Sequence, residues 1–102
     1  MDKHLLHTLK KLKENYKTLG FLIIGIFGSQ ARGDANSKSD IDIVYNLDAS
    51  FLQKFGGWGA VSEIEKIKQE IQKSLGKDVD LASADNNSKV FQNRLKDELI
   101  YV

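Results

Sequence analysis

"FLIIGIFGSQARGDANSKSDIDIVYNL" (residues 21–47) is the stretch that decides how this chain folds. Its first seven residues have no polar face, the pattern of an inner strand covered on both sides. Residues 40–47 alternate instead, with Asp40, Asp42 and Val44 facing one way and Ile41, Ile43 and Tyr45 the other. Between the two segments, Gly28 and Ser29 turn the chain into a short helical piece that Gly33 can end. Residues 34–39 are then loop. A connection this short lets the two strands lie antiparallel, and that arrangement brings the Gly-Ser corner and the Asp-x-Asp pair together.

On the N-terminal side, Leu5, Leu9, Leu12 and Tyr16 fall on one face of a helix, with lysines around the other and Gly20 as its stop. On the C-terminal side, residues 49–59 carry three glycines and read as a connection, with Gly56, Gly57 and Gly59 forming a loop pinned by Trp58. A flap over a bound ligand is the alternative for that loop. Val61, Ile64, Ile67 or Lys68, Ile71 and Leu75 trace a second long helix that Gly76 ends. Residues 77–83 make a third strand, 90–99 a last helix, and "LIYV" a short closing strand. The expected architecture is one α/β (α+β) domain over residues 1–102, a sheet with helices packed against it.

Composition narrows the function. Fifteen Lys and Arg against fourteen Asp and Glu leave a net charge of +1, so direct nucleic-acid binding through clustered basic charge is not expected. Cysteine is absent, which excludes disulfides, thiolate catalysis and cysteine zinc sites and fits a cytoplasmic protein. The lysine-rich first segment has no apolar signal-peptide core, and the apolar run Phe21 to Phe27 is too short to span a bilayer. His4 and His7 read as an exposed helix face rather than as metal ligands.

The chemistry lies at the corner. Asp40 and Asp42, two apart on a strand, project their carboxylates from one face, about 6.6 Å apart by strand rise. Such a pair is mutually repulsive unless a cation sits between its members. Magnesium suits it, as a hard ion that takes one or two carboxylates together with water and phosphate oxygens. Asp78 and Asp80 on the third strand are the candidates for a further carboxylate. Gly28, without a Cβ, leaves room for phosphate oxygens near the backbone, and the Ser29 hydroxyl with following N–H groups can hold a polyphosphate. Arg32, one turn on, is placed to reach the same anion.

These residues resemble the signature of the minimal nucleotidyltransferases of the polymerase-beta-like superfamily: Gly28-Ser29, ten residues, then Asp40-Ile41-Asp42. The family's third aspartate sits in a "VDL" strand matched by Val79-Asp80-Leu81, which selects Asp80 over Asp78. The resemblance implies a polymerase-beta-like fold, a mixed sheet flanked by helices. It implies that Asp40, Asp42 and Asp80 are catalytic and bind two magnesium ions, and that Gly28, Ser29 and Arg32 bind the nucleotide. Family members of this length resemble the antitoxin half (the MntA type) of a toxin–antitoxin pair. Their partner is a small all-helical HEPN-type toxin that receives AMP from ATP on a tyrosine. Transfer to a small molecule and a non-catalytic antitoxin acting by binding alone are the alternatives.

Overall fold

Phe21–Phe27 forms strand β1 and Ile41–Leu47 forms strand β2, antiparallel beside it. The computed structural model describes residues 3–28, 40–85 and 87–102. Around these strands come helix α1 (Lys3–Lys17), helices α2 (Ala49–Phe55) and α3 (Gly57–Leu75), strand β3 (Val79–Ser83), helix α4 (Lys89–Glu98) and strand β4 (Ile100–Tyr101). The sheet order is β3-β2-β1-β4, with β3 parallel to β2 and β4 antiparallel to β1. This mixed sheet with helices is the α+β domain expected from the sequence. The short helical piece after Gly28 and the loop 34–39 lie outside the described residues.

A shift of register between Ile23 and Gly25 leaves Ile24 without a cross-strand partner on β2. Such a bulge resets the alternation of side chains. Phe21, Ile23 and Ile26 all enter the main core, while Ile24 and Phe27 join a smaller cluster on the opposite face. The inner-strand reading of residues 21–27 therefore holds, with unequal cover on the two faces.

The main core lies between the sheet and helices α1, α2 and α3. Leu5, Leu9, Leu12 and Tyr16 are its α1 face, as their spacing predicts. Phe21 is fully buried, stacked on Tyr45 at 4.9 Å between ring centroids and tilted against Phe51 at 6.3 Å. Full burial of a side chain of this size contributes about 1.5–3 kcal/mol. The Tyr16 hydroxyl donates to Glu70 Oε2 at 3.1 Å and ties α1 to α3. Burial first, then the Glu70 charge, pushes its pKa up to about 12. On the other face, α4 lays Leu95 against Phe27 and Val44.

Residues 49–59 differ from expectation. The Asp48 side chain accepts a hydrogen bond from the Phe51 N–H and caps α2, and Gly56 both ends α2 and precedes α3. Trp58 pins nothing: it stands 88% exposed on the first turn of α3. The buried stripe of α3 runs through Ala60, Ile67 and Ile71, so Val61 faces outward and Ile67 takes the place left open between it and Lys68. The flap fails as well. By helical rise α3 spans roughly 28 Å, and its far end leads into β3, where the aspartates lie. The glycine-rich start is thus remote from them.

β4 approaches β1 so closely that a Cβ on Gly25 would run into the Ile100 carbonyl. Gly25→Val is expected to dislodge β4, lowering the melting temperature and opening the C-terminal segment to limited proteolysis. A wild-type melting curve and digestion pattern would contradict the pairing.

Candidate active site

Asp42 sits on an inner strand and is paired on both sides. Across the antiparallel ladder its partner is Phe27, and across the parallel ladder it is Asp80. Val44 and Ala82, two residues further along their strands, both lie in the cluster under α4. Strand alternation therefore projects Asp42 and Asp80 from that same face. Asp42 is half-buried, while Asp80 and Asp40, at the strand entry, are exposed. Asp78 lies before β3, where its carbonyl accepts the Ile41 N–H at 3.0 Å. The register thus sets Asp80 opposite Asp42.

Gly28 follows β1 directly, with a left-handed φ of 78°. A Cβ built on it would stand 2.5 Å from Asp42 Oδ2. Glycine at this position therefore meets two demands at once, a backbone angle that side chains disfavour and a carboxylate packed against its Cα. The corner and the Asp-x-Asp pair meet as the strand reading requires. Ser29 and Arg32 fall outside the described residues.

Among the described residues, no three carboxylate or imidazole side chains gather closely enough to enclose a metal ion by themselves. The facing pair Asp42 and Asp80, with Asp40 at the strand entry, is an all-oxygen donor set on an accessible sheet end. That fits magnesium, which keeps several water or phosphate ligands beside one or two carboxylates. Like charges directly opposite on a sheet are destabilising, so a cation between them is the favourable completion of the pair.

Helix α4 has no part in the site as read from sequence, yet it lies across the same face. Phe91 meets Phe27 edge-on at 5.6 Å, and the Arg94 guanidinium lies 5.3 Å from the Phe27 ring centroid. The four-residue spacing of Phe91 and Leu95 in the sequence signals a helix with an apolar face. It does not say which side of the sheet that face covers.

Comparison with known proteins agrees with this fold. The chain matches the family described as "Polymerase beta, Nucleotidyltransferase" over residues 7–102. It is 33% identical over 102 residues to "Putative protein adenylyltransferase MJ1379" of Methanocaldococcus jannaschii, covering 98% of this chain and 93% of that protein. A second protein of that organism, "Putative protein adenylyltransferase MJ0435", is 31% identical over 77 residues, 76% of this chain and 74% of that one. Among solved structures, "Structure of putative minimal nucleotidyltransferase" superposes with a TM-score of 0.74 at 21% identity, over 100% of this chain and 97% of that one. "Crystal structure of the toxin-antitoxin with AMP-PNP" superposes with a TM-score of 0.64 at 24% identity, over 93% and 69%. The fold, the corner and the family match converge: this chain belongs to the polymerase beta nucleotidyltransferase family.

Proposed function

We propose that this nucleotidyltransferase moves AMP from Mg-ATP to a tyrosine hydroxyl of a small helical HEPN-type toxin and thereby acts as its antitoxin, of the MntA type. The observation that carries the reading is the placement of Asp42 against both Gly28 and Asp80. Relatives carrying the name of protein adenylyltransferases support the reaction, and a fold neighbour from a toxin–antitoxin complex with AMP-PNP supports the partner.

In this reading Gly28 and Ser29 seat the triphosphate, Arg32, three residues on in the sequence, reaches it, and Asp40, Asp42 and Asp80 would hold two magnesium ions. The ions would neutralise phosphate charge and lower the pKa of the acceptor hydroxyl from about 10. The exposed Asp80 carboxylate accepts the acceptor proton. The tyrosine oxygen bonds to the α-phosphorus, the bond from that phosphorus to the bridging oxygen breaks, and pyrophosphate leaves. Asp42, half-buried and packed on Gly28, has little freedom to swing, which suits an orienting ligand. Of Phe51, Phe55 and Trp58, the apolar residues of stretch 49–59 that the sequence offers as partner contacts, Phe51 is fully buried and Phe55 packs against the main core, whereas Trp58 is exposed to meet a partner.

Magnesium is expected to raise the melting temperature of the wild type and leave Asp42→Asn unmoved, while the variant loses AMP transfer. In chelator, Asp42→Asn should melt no lower than wild type, because one of two facing carboxylates has been neutralised. An equal magnesium response in both proteins, read by calorimetry, refutes the assignment.

Gly28→Ala places a methyl group against the Asp42 carboxylate and imposes a left-handed backbone cost of about 1–2 kcal/mol. The folded variant is expected to lose affinity for a non-hydrolysable ATP analogue in isothermal titration. Unchanged affinity would remove the corner from the site.

Incubation with Mg-ATP and a co-encoded helical protein, followed by peptide mapping, tests the whole reading. AMP on a partner tyrosine, absent with Asp40→Asn, is the expected outcome. A partner neutralised equally by Asp40→Asn, with no added mass, would make this a binding antitoxin. Transfer of AMP to a small hydroxyl compound and not to the partner would make the acceptor a metabolite.

A further inference from the structure

We propose that Arg94 is a triphosphate-binding residue of this site, delivered by α4 to the sheet end where Gly28, Asp42 and Asp80 meet. The inference rests on the nucleotide reading above and adds a residue that the Gly-Ser and Asp-x-Asp pattern does not contain.

Three observations lead to it. The first is position. Phe27 precedes Gly28 in the chain and is the direct ladder partner of Asp42. Directly opposed residues on a sheet have Cβ atoms about 4.5–5.5 Å apart. The Arg94 guanidinium, 5.3 Å from the Phe27 ring centroid, is therefore one side chain away from the carboxylate. Phe91 and Arg94, one helical turn apart, both rest on Phe27. Gln92 and Lys96 turn instead toward a cleft of about 300 Å³ that Ile24 and Val44 also line, and Leu95 lies between the two sides, buried against Phe27 and Val44. Helix α4 thus divides its residues, and Arg94 is on the side of the site.

The second is the state of the side chain. Its salt bridge with Glu98, Nε to Oε2 at 3.1 Å, engages one of five guanidinium donors. The Arg94 side chain is 51% exposed, while Glu98 beneath it is 15% exposed, so the pair is open to solvent on the guanidinium side. The contacts hold Arg94 over Phe27 without burying it, leaving it within reach of solvent and ligand.

The third is charge. A triphosphate brought to three aspartates needs cations beyond those that the carboxylates themselves attract. Of the fifteen basic residues, only two are arginines, Arg32 and Arg94. The planar guanidinium fork matches phosphate oxygens in a way that an ammonium group does not. Both arginines are thus associated with the corner, one by sequence distance from Ser29 and the other by packing on Phe27.

The test is isothermal titration of Mg-ATP into wild type, Arg94→Gln and Arg94→Met, with thermal melts of each protein and the titrations repeated at rising salt. Methionine preserves an apolar stem over Phe27, so either variant that folds decides the matter. The expected result is an ATP affinity weakened about tenfold or more, as for loss of a hydrogen-bonded charge. The salt dependence should become shallower, and the melting temperature should stay within a few degrees of wild type. A folded variant that binds ATP as wild type does overturns the role of Arg94 and leaves the nucleotide reading intact. A wild type that binds no nucleoside triphosphate overturns that reading and Arg94 with it.

Discussion

The pairing of β2 on both its edges is the constraint on which the rest depends. One ladder sets Asp42 against Phe27 and the other sets it against Asp80. A slip of one residue in either would turn Asp42 into the core and Ile41 or Ile43 out of it. Ile41 and Ile43 are fully buried on one face and Val44 on the other, so burial of apolar side chains holds the register that aligns the carboxylates. The acidic pair is placed by residues that take no part in its chemistry.

That placement runs against local stability. Facing carboxylates destabilise a sheet by roughly 0.2–1 kcal/mol per pair, and Gly28 holds a left-handed angle with Asp42 packed against it. The flanking apolar positions outweigh terms of that size several times over, since each fully buried isoleucine contributes about 1.5–3 kcal/mol. A chain of this length builds one substantial core, and here it lies on one face of the sheet. Among the described residues, the opposite face carries the smaller cluster built on Phe27, Val44 and Leu95, with the polar Asp42 and Asp80 at its end.

The sheet and the corner are legible because their signals are local. Alternation in residues 40–47 separates the faces of β2, and the apolar run before Gly28 marks an inner strand. The stretch 49–59 misleads because its three glycines outweigh a capping signal that is present: Asp48 stands three residues before Phe51, whose N–H it accepts. Glycine is tolerated in the first turn of α3, where part of the backbone has no intrahelical partner to lose. The outward direction of Trp58 has no sequence signal, because an aromatic residue in a short amphipathic segment reads as core. Pairing of β4 with β1 is equally hidden. It depends on a missing Cβ at Gly25, seventy-five residues before Ile100, and only the folded chain brings the two together.

Helix α4 follows the same logic from the other direction. Its sequence announces an apolar stripe, and that stripe has to be buried somewhere on the sheet. The main-core face is already occupied by α1 and α3, so α4 covers the other one, where the aspartates project. Burying Leu95 against Val44 and Phe27 then fixes the rotation of the helix, and rotation decides which polar residues point toward the sheet end. Arg94 stands over Phe27 because Leu95, its neighbour, is fixed in the cluster. A packing requirement of the smaller core thus sets a cation beside an acidic corner, and a residue invisible to the motif becomes part of its surroundings.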